Sequence, residues 1–245
     1  MSNVLRDFFA KYPAKRYEKD QVILFQEEKP PGLFMVKLGY IKAYDITPSG
    51  SERIMSYATR GNLFPMGYLF ADDGASSYFY SAASACELYL VPKEDVVGLL
   101  TTNNAACFEM CQILSHSYYH VMERLNSVEQ PKATEKILHT LKFLEENYSR
   151  SGGEPTSHVE VPMKVQDLSS MVGLTRETVG AEIKKLKKAG VVTHRRWQFS
   201  INKQKLEEMI ARPFQYGKAR KDDGVDGAPG PSPVDKSPRP KKPAR

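Results

Sequence analysis

The side chains best placed to do chemistry in this chain are Arg176 and Glu177, which stand side by side in the run Thr175-Arg176-Glu177-Thr178-Val179-Gly180. A guanidinium can make a bidentate contact to guanine O6 and N7, and a carboxylate can accept from cytosine N4. Such contacts need a scaffold that offers both groups to a base edge, and the flanking residues read as one. Thr175 is an N-cap signal with Thr178 three residues on, and Val179, Ile183 and Leu186 recur at spacings of 4 and 3, a stripe to be buried. Gly180 and Lys184 fall on the other side with Arg176 and Glu177. Upstream, Gln166 to Val172 reads as a short helix with Leu168 and Val172 inward, and Gly173 supplies a positive-φ turn. Two short helices around a Gly turn fit a helix-turn-helix, whose second helix enters the major groove. After Gly190, Val192 to Ile201 reads as a hairpin with Arg195 and Arg196 near its tip, a wing placed to grip phosphates. Taken alone, Lys184, Lys185, Lys187 and Lys188 are better read as a solvated helix face; the combination of signals points to double-stranded DNA.

A second set of residues is spaced for association. Cys107, Cys111, Leu114, Tyr118, Val121, Leu125 and Val128 alternate spacings of 4 and 3 along one predicted helix from about Asn104 to Val128. That is a heptad seam, most simply paired with the same helix of a second chain, because the chain holds no other long heptad helix; packing on its own domain is the alternative. At these positions the cysteines serve as small apolar residues, with a redox role open to test. His116 and His120 are also four apart, but they fall off the seam with no third ligand nearby, so no metal site is expected.

The elements that position these residues follow from the rest of the chain. Residues 14–92 are rich in short β-branched and aromatic runs separated by turns, as in an antiparallel sandwich or barrel. Gly39, between Leu33–Lys37 and Tyr40–Tyr44, is a hairpin or bulge signal. Pro92 opens a short helix through Leu100, Gln130-Pro131 ends the seam helix, Lys132 to Tyr148 forms another, and Ser149 to Ser157 reads as a loop. The reading is thus α+β, in four parts: a β-roll over 1–103, a dimerisation helix over 104–130, a winged helix-turn-helix over 131–216, and a Pro/Gly-rich basic tail over 217–245 expected to be disordered.

Charge placement agrees. The formal net charge of +6 divides into −3 over residues 1–159, +5 over 160–216 and +4 over 217–245. The tail is a solubilising segment or a nonspecific phosphate contact. The longest charge-free run is 13 residues, short of the ~18 a membrane span needs, and the N-terminus has no unbroken apolar segment of a secretory signal. With only three cysteines, the expected compartment is the reducing cytoplasm. No GxGxxG, P-loop, GxSxG, HExxH or zinc-spaced CxxC occurs, so no enzyme is expected.

The run from Thr175 to Gly180, with Gln166 and Gly173 before it, resembles the helix-turn-helix of the Crp/Fnr family. Gly39-Tyr40-Ile41-Lys42, the Gly50 turn, Gly61-Asn62-Leu63-Phe64 and Ala85-Cys86-Glu87-Leu88 are similar to that family's cyclic-nucleotide-binding β-roll. The resemblance covers about residues 10–212. It implies a homodimeric transcription regulator, with RNA polymerase as a further partner and palindromic sites of the TGTGA type. It places Arg176 and Glu177 as the base readers and Gln166 and Lys184 on phosphates or the groove. Ala181 stands where the family pattern has a second Arg, which loosens one base step.

The resemblance also implies a nucleotide pocket, and here the residues depart from it. The Gly-Glu and Arg-Ser pairs of the pattern fall on Pro65-Met66 and Ser76-Ser77, so that only Ser77 remains. A buried phosphate with no Arg partner is strongly disfavoured. Val121 and Met122, apolar, stand where the adenine would be met. No tight cyclic AMP binding and no resident cofactor are expected. Met66, Gly67, Tyr68, Ser76, Ser77 and Tyr78 either line a pocket for some other small effector or, with the neighbouring aromatics, fill it; filling is preferred, because alternating strand aromatics are usually core. A rival reading keeps the dimer but gives the winged helix mainly protein contacts, with an effector- or redox-responsive sensor. Salt dependence separates the two.

Overall fold

The computed structural model describes residues 4–71, 74–150 and 156–211. A short helix α1 (Val4–Phe9) precedes eight strands: β1 (Ala14–Tyr17), β2 (Val22–Leu24), β3 (Leu33–Leu38), β4 (Ile41–Ile46), β5 (Glu52–Ala58), β6 (Leu63–Phe64), β7 (Phe79–Ala82) and β8 (Cys86–Val91), with helix α2 (Met66–Phe70) after β6. They form two four-stranded antiparallel sheets, ordered β1-β8-β3-β6 and β2-β7-β4-β5. The inward side chains of both sheets make one core, including Leu24, Phe34, Val36, Ile41, Phe64, Tyr80 and Leu88. This is the β-roll anticipated over the first part of the chain.

Gly39 does not make a hairpin. β3 pairs with β6 and β8, whereas β4 pairs with β5 and β7, so the chain changes sheets at this residue. Gly39 has φ +90°, and a Cβ there would lie 2.6 Å from both the Ala85 carbonyl oxygen and the Cys86 Cβ. Only glycine fits such a close crossing. A register shift does occur just upstream, between Val36 and Leu38 of β3, with Gly39 itself outside the strand.

Six helices and a small sheet follow. α3 (Lys93–Thr102) leads into the long α4 (Asn104–Val128), whose start is capped by the Asn103 side chain accepting from Ala106 N at 3.0 Å. Ala106 and Met110 face back into a core with Leu5, Phe9, Val96 and Leu100, which fixes the rotation of α4 about its axis. Then come α5 (Ala133–Tyr148), β9 (Ser149–Arg150), β10 (Thr156–Val159), α6 (Val165–Val172), α7 (Arg176–Lys188), β11 (Val192–Arg195), β12 (Gln198–Asn202) and α8 (Lys203–Ala211). The strands form a sheet ordered β11-β12-β10-β9. The loop expected over 149–157 is thus shortened at both ends by strand pairing, with His158 opposite Arg150 and Val159 opposite Ser149. The tail 217–245 and residues 212–216 of the expected winged-helix unit lie outside the described residues.

One core joins the β-roll to the C-terminal part. Tyr44, Ile54 and Tyr57 of the β4–β5 hairpin pack in the same cluster as Leu141, Leu168, Ile183 and Phe199. The Tyr148 hydroxyl accepts from Tyr57 N at 3.2 Å and lies 3.3 Å from the Tyr57 carbonyl oxygen, to which it can donate. Both groups are buried, so the pairing removes polar groups that would otherwise be costly there.

Candidate nucleic-acid interface

The helix-turn-helix is built as its sequence requires. Gly173 closes α6 in the left-handed conformation, at φ 68° and ψ 33°. Asp167 accepts from Lys164 N at 2.6 Å, securing the start of α6. Thr175 caps α7, its hydroxyl oxygen accepting from Thr178 N at 3.2 Å. Leu168, Met171 and Val172 of α6 are buried against Val179, Ile183 and Leu186 of α7. With that stripe buried, Arg176 and Glu177 are left exposed in the first turn of α7, next to exposed Thr175 and half-buried Thr178 and Gly180. Gln166 and Lys184 are also exposed. The two base-reading candidates therefore project from the open N-terminal end of a rigid helix, the end that meets bases when such a helix enters a groove.

The wing is a real hairpin. β11 and β12 pair from Val192 with Ile201 to Arg195 with Gln198, and Arg196 takes φ +54° at the turn. Arg195 and Arg196 are exposed at its tip. The hairpin is anchored by Met163 N donating to the Trp197 carbonyl at 2.7 Å and by the His194 ring lying 4.2 Å from that of Phe199. Lys164 and Lys19 each place an ammonium 4.6 Å from the Trp197 ring centroid, so two further cations gather beside the wing.

Two positioning residues were not singled out in the sequence. Glu182 is buried on α7 and accepts from Thr134 of α5 at 2.8 Å and from Lys185 at 2.5 Å. Burial pushes its carboxyl up, but the hydrogen bonds from Lys185 and Thr134, aided by the Lys185 charge, outweigh it and hold the group below the ordinary value. Lys185 is thus an intramolecular partner as well as a phosphate candidate. A signal was present: position 182 completes the i, i+3, i+4, i+7 pattern with Val179, Ile183 and Leu186. Because the folded carboxyl titrates below its unfolded value, its stabilisation is present above the unfolded pKa and lost as pH falls through the folded one. Glu182→Gln should lower stability at pH 7 by about 1 kcal/mol, and the gap from the parent should close as pH falls below about 4, as read by denaturant unfolding at each pH. A gap independent of pH would contradict this.

Arg124 is the second. From α4 it donates to the Met171 carbonyl at the end of α6 and to Ser127 Oγ at 3.2 Å. Burial pushes its guanidinium down to about 10, so it remains a cation at neutral pH. A cation at a helix C-terminus complements the helix dipole. Arg124 therefore ties the seam helix directly to the first helix of the helix-turn-helix.

The seam itself faces outward. Leu114 is 38% exposed, Tyr118 69%, Val121 62% and Leu125 42%, Cys107 and Cys111 are exposed, and Val128 is half-buried. Phe108, Tyr119 and Met122 extend this apolar surface. Contiguous exposure of this kind marks an interaction surface.

The pocket candidates have different surroundings. Phe34, Phe64 and Tyr80 stack across the two sheets, with centroid separations of 5.1 and 4.8 Å, and Phe64 immediately precedes Pro65-Met66. Met66 and Tyr68 pack instead toward α1, α3 and α4, and Gly67 is exposed. Ser76 is buried, its hydroxyl donating to the Tyr78 carbonyl at 2.6 Å and its backbone pairing with Glu27 and Glu28, while Ser77 is exposed. Val121 and Met122 lie on the outer face of α4. Among the described residues no group of His, Cys, Asp and Glu could hold a metal ion, and no helix is long and apolar enough to cross a membrane.

Comparison with known proteins places both halves. Residues 14–103 match the cyclic nucleotide-binding domain family, and residues 135–209 match the Crp-like helix-turn-helix domain family. The chain is 24% identical over 191 residues to the HTH-type transcriptional regulator ArcR of Staphylococcus epidermidis, covering 77% of this chain and 82% of that protein. It is 24% identical over 179 residues to the cAMP-activated global transcriptional regulator CRP of Pasteurella multocida, covering 72% and 81%. Among solved structures, FixK2 from Bradyrhizobium japonicum superposes with a TM-score of 0.68 at 18% identity, over 82% of this chain and 98% of that one. The c-di-GMP responsive regulator CLP of Xanthomonas campestris gives 0.64 at 20% identity, over 81% and 98%.

Proposed function

The chain belongs to the Crp/Fnr family of transcription regulators, whose members are not enzymes, and from that premise we propose that this DNA-binding regulator works as a homodimer on palindromic sites. The observation that carries the reading is the exposure of Arg176 and Glu177 together at the capped start of α7. Arg176 takes a guanine of a TGTGA-like half-site and Glu177 the cytosine opposite a neighbouring guanine. Thr175, Thr178 and Gly180 bring the helix end close to the backbone. Gln166, Lys184, Lys185, Arg195 and Arg196 take phosphates. Ala181 cannot donate, so the half-site is looser at one base step.

The second copy of the seam covers the apolar face of α4. A two-fold pairing places both winged helices at one end of the molecule, as a site with half-sites about one turn, ~34 Å, apart demands. RNA polymerase is the downstream partner that such a regulator would engage, in the cytoplasm where the DNA is.

Cyclic AMP is not the effector in this reading. The Phe34–Phe64–Tyr80 stack occupies the roll, no arginine stands at Ser76, and the Glu27 and Glu28 backbones pair there instead. If an effector exists, it is another small molecule. Two of the proteins named above are described as cAMP-activated and c-di-GMP responsive, so the shared fold leaves the effector free to vary.

A gel-shift titration across salt concentrations, with and without cyclic AMP, tests this reading. Counterion release should make affinity fall steeply with salt, and micromolar cyclic AMP should change nothing. A flat salt response favours a winged helix used for protein contacts. Tight cyclic AMP binding, or activation by it, overturns the filled-pocket reading.

A further inference from the structure

The α4 seam carries two of the chain's three cysteines, Cys107 and Cys111. Both are exposed in the single chain, while Cys86 is buried in the β-roll, where burial pushes its thiol up to about 11. The rotation of α4 is fixed by Ala106 and Met110 on its inner face and by Leu5 N donating to Glu109 Oε2 at 3.2 Å. Cys107 and Cys111 therefore point away from the protomer in a defined direction, along the line that continues through Leu114 and Tyr118.

The geometry points to Cys107 and Cys111 as a site of disulfide formation between two copies of this chain, each cysteine bonding to its own counterpart across the two-fold axis. The inference rests on the homodimer proposed above. In a two-fold interface the same patch serves both partners, and on a parallel seam along the axis each residue meets its own copy. Packed helices lie about 8–10 Å apart, and Cα atoms stand about 2.3 Å from each helix axis. Facing Cα atoms are then about 3.4–5.4 Å apart, which overlaps the range of about 4.4–6.8 Å that a disulfide spans. Bonding within one chain is excluded by the helix, because i,i+4 Cβ atoms are about 5–6 Å apart and a disulfide needs about 3.5–4.5 Å.

The oxidant is a low-molecular-weight disulfide. One seam thiolate attacks it, forms a mixed disulfide and releases one small thiolate. The partner's equivalent cysteine, as thiolate, attacks the protein sulfur of that mixed disulfide and releases the second. Two protein thiols are oxidised, the small disulfide is reduced to two thiols, and the two protons pass to the departing thiolates. The bond forms at the end of α4 next to the β-roll, away from the helix-turn-helix, so it joins the protomers without touching the DNA-reading face.

Reduced full-length protein, freed of reductant, is first weighed by light scattering, then treated with excess oxidised glutathione and run on a non-reducing denaturing gel. A dimer in solution that becomes a covalent dimer on the gel, reversed by dithiothreitol, is expected. Cys107→Ser and Cys111→Ser should each keep the cross-link through the remaining cysteine, and the double variant should lose it. A solution dimer that runs as a single chain after oxidation overturns the inference while leaving the homodimer intact. So does a cross-link that survives in the double variant, or a mass loss of two hydrogens per chain without cross-linking. A monomer in the reduced state overturns the homodimer reading and this inference with it.

Discussion

Arg176→Ala should abolish discrimination between the TGTGA-like site and unrelated DNA while leaving weak, salt-sensitive binding. The argument has two parts. Arg176 sits exposed in the first turn of α7, where its guanidinium is free to reach a guanine edge. Losing a bidentate contact costs about 1–3 kcal/mol of discrimination, a factor of about 5 to 150 per half-site, and a dimer loses it twice. The phosphate contacts proposed for Lys184, Arg195 and Arg196 carry no sequence information and would persist. Competitive gel shifts with specific and scrambled duplexes read the ratio directly. An unchanged ratio would remove Arg176 from the base-reading role. Fold is not at stake, because the cap at Thr175 and the buried stripe of α7 do not involve this side chain.

Leu114→Glu should separate the protomers. Leu114 stands mid-seam and is already partly open in the single chain, so each protomer keeps its core. In the dimer the substitution sets two carboxylates against each other at the axis, and like charges juxtaposed in an interface cost several kcal/mol. At 1.4 kcal/mol per tenfold, the dimer dissociation constant should rise by at least about 100-fold. DNA affinity should fall with it, since one winged helix then holds one half-site. Sedimentation velocity together with an unchanged melting temperature would establish the effect as one of assembly. A variant that remains dimeric would show that the exposed face of α4 is not the seam.

Both of these residues stand in patterns that the sequence makes visible. The apolar stripe of α4 was legible because its heptad spacing is a property of the sequence alone, and its exposure follows once Ala106 and Met110 turn inward. Arg176 was legible because the cap, the glycine turn and the buried stripe all lie within a short stretch around it. Arg124 was not, because its role depends on Met171, far along the chain. Glu182 was half-legible: its spacing placed it on the buried face, but its charge argued for solvent until Thr134 and Lys185 were seen to satisfy it. The hairpin expected at Gly39 failed for a related reason. A positive-φ glycine marks a sharp turn, but whether the next strand returns to the same sheet or crosses to the other is decided by pairing with β6, β7 and β8. Helices α1 and α8 went unseen because each spans only two or three turns, with too few apolar repeats for a periodic signal.

Arg124 and the Tyr57–Tyr148 pair give the structure a physical route between its parts. One, half-buried, links α4 to α6, and the other, fully buried, links the β-roll to α5.

Selection of bound sequences from random duplex DNA tests the central claim most directly. The account predicts enrichment of two inverted TGTGA-like half-sites with centres about 10 base pairs apart, with weakened preference at the step that Ala181 faces. Enrichment of a single unpaired half-site, or of no motif at all, would contradict it.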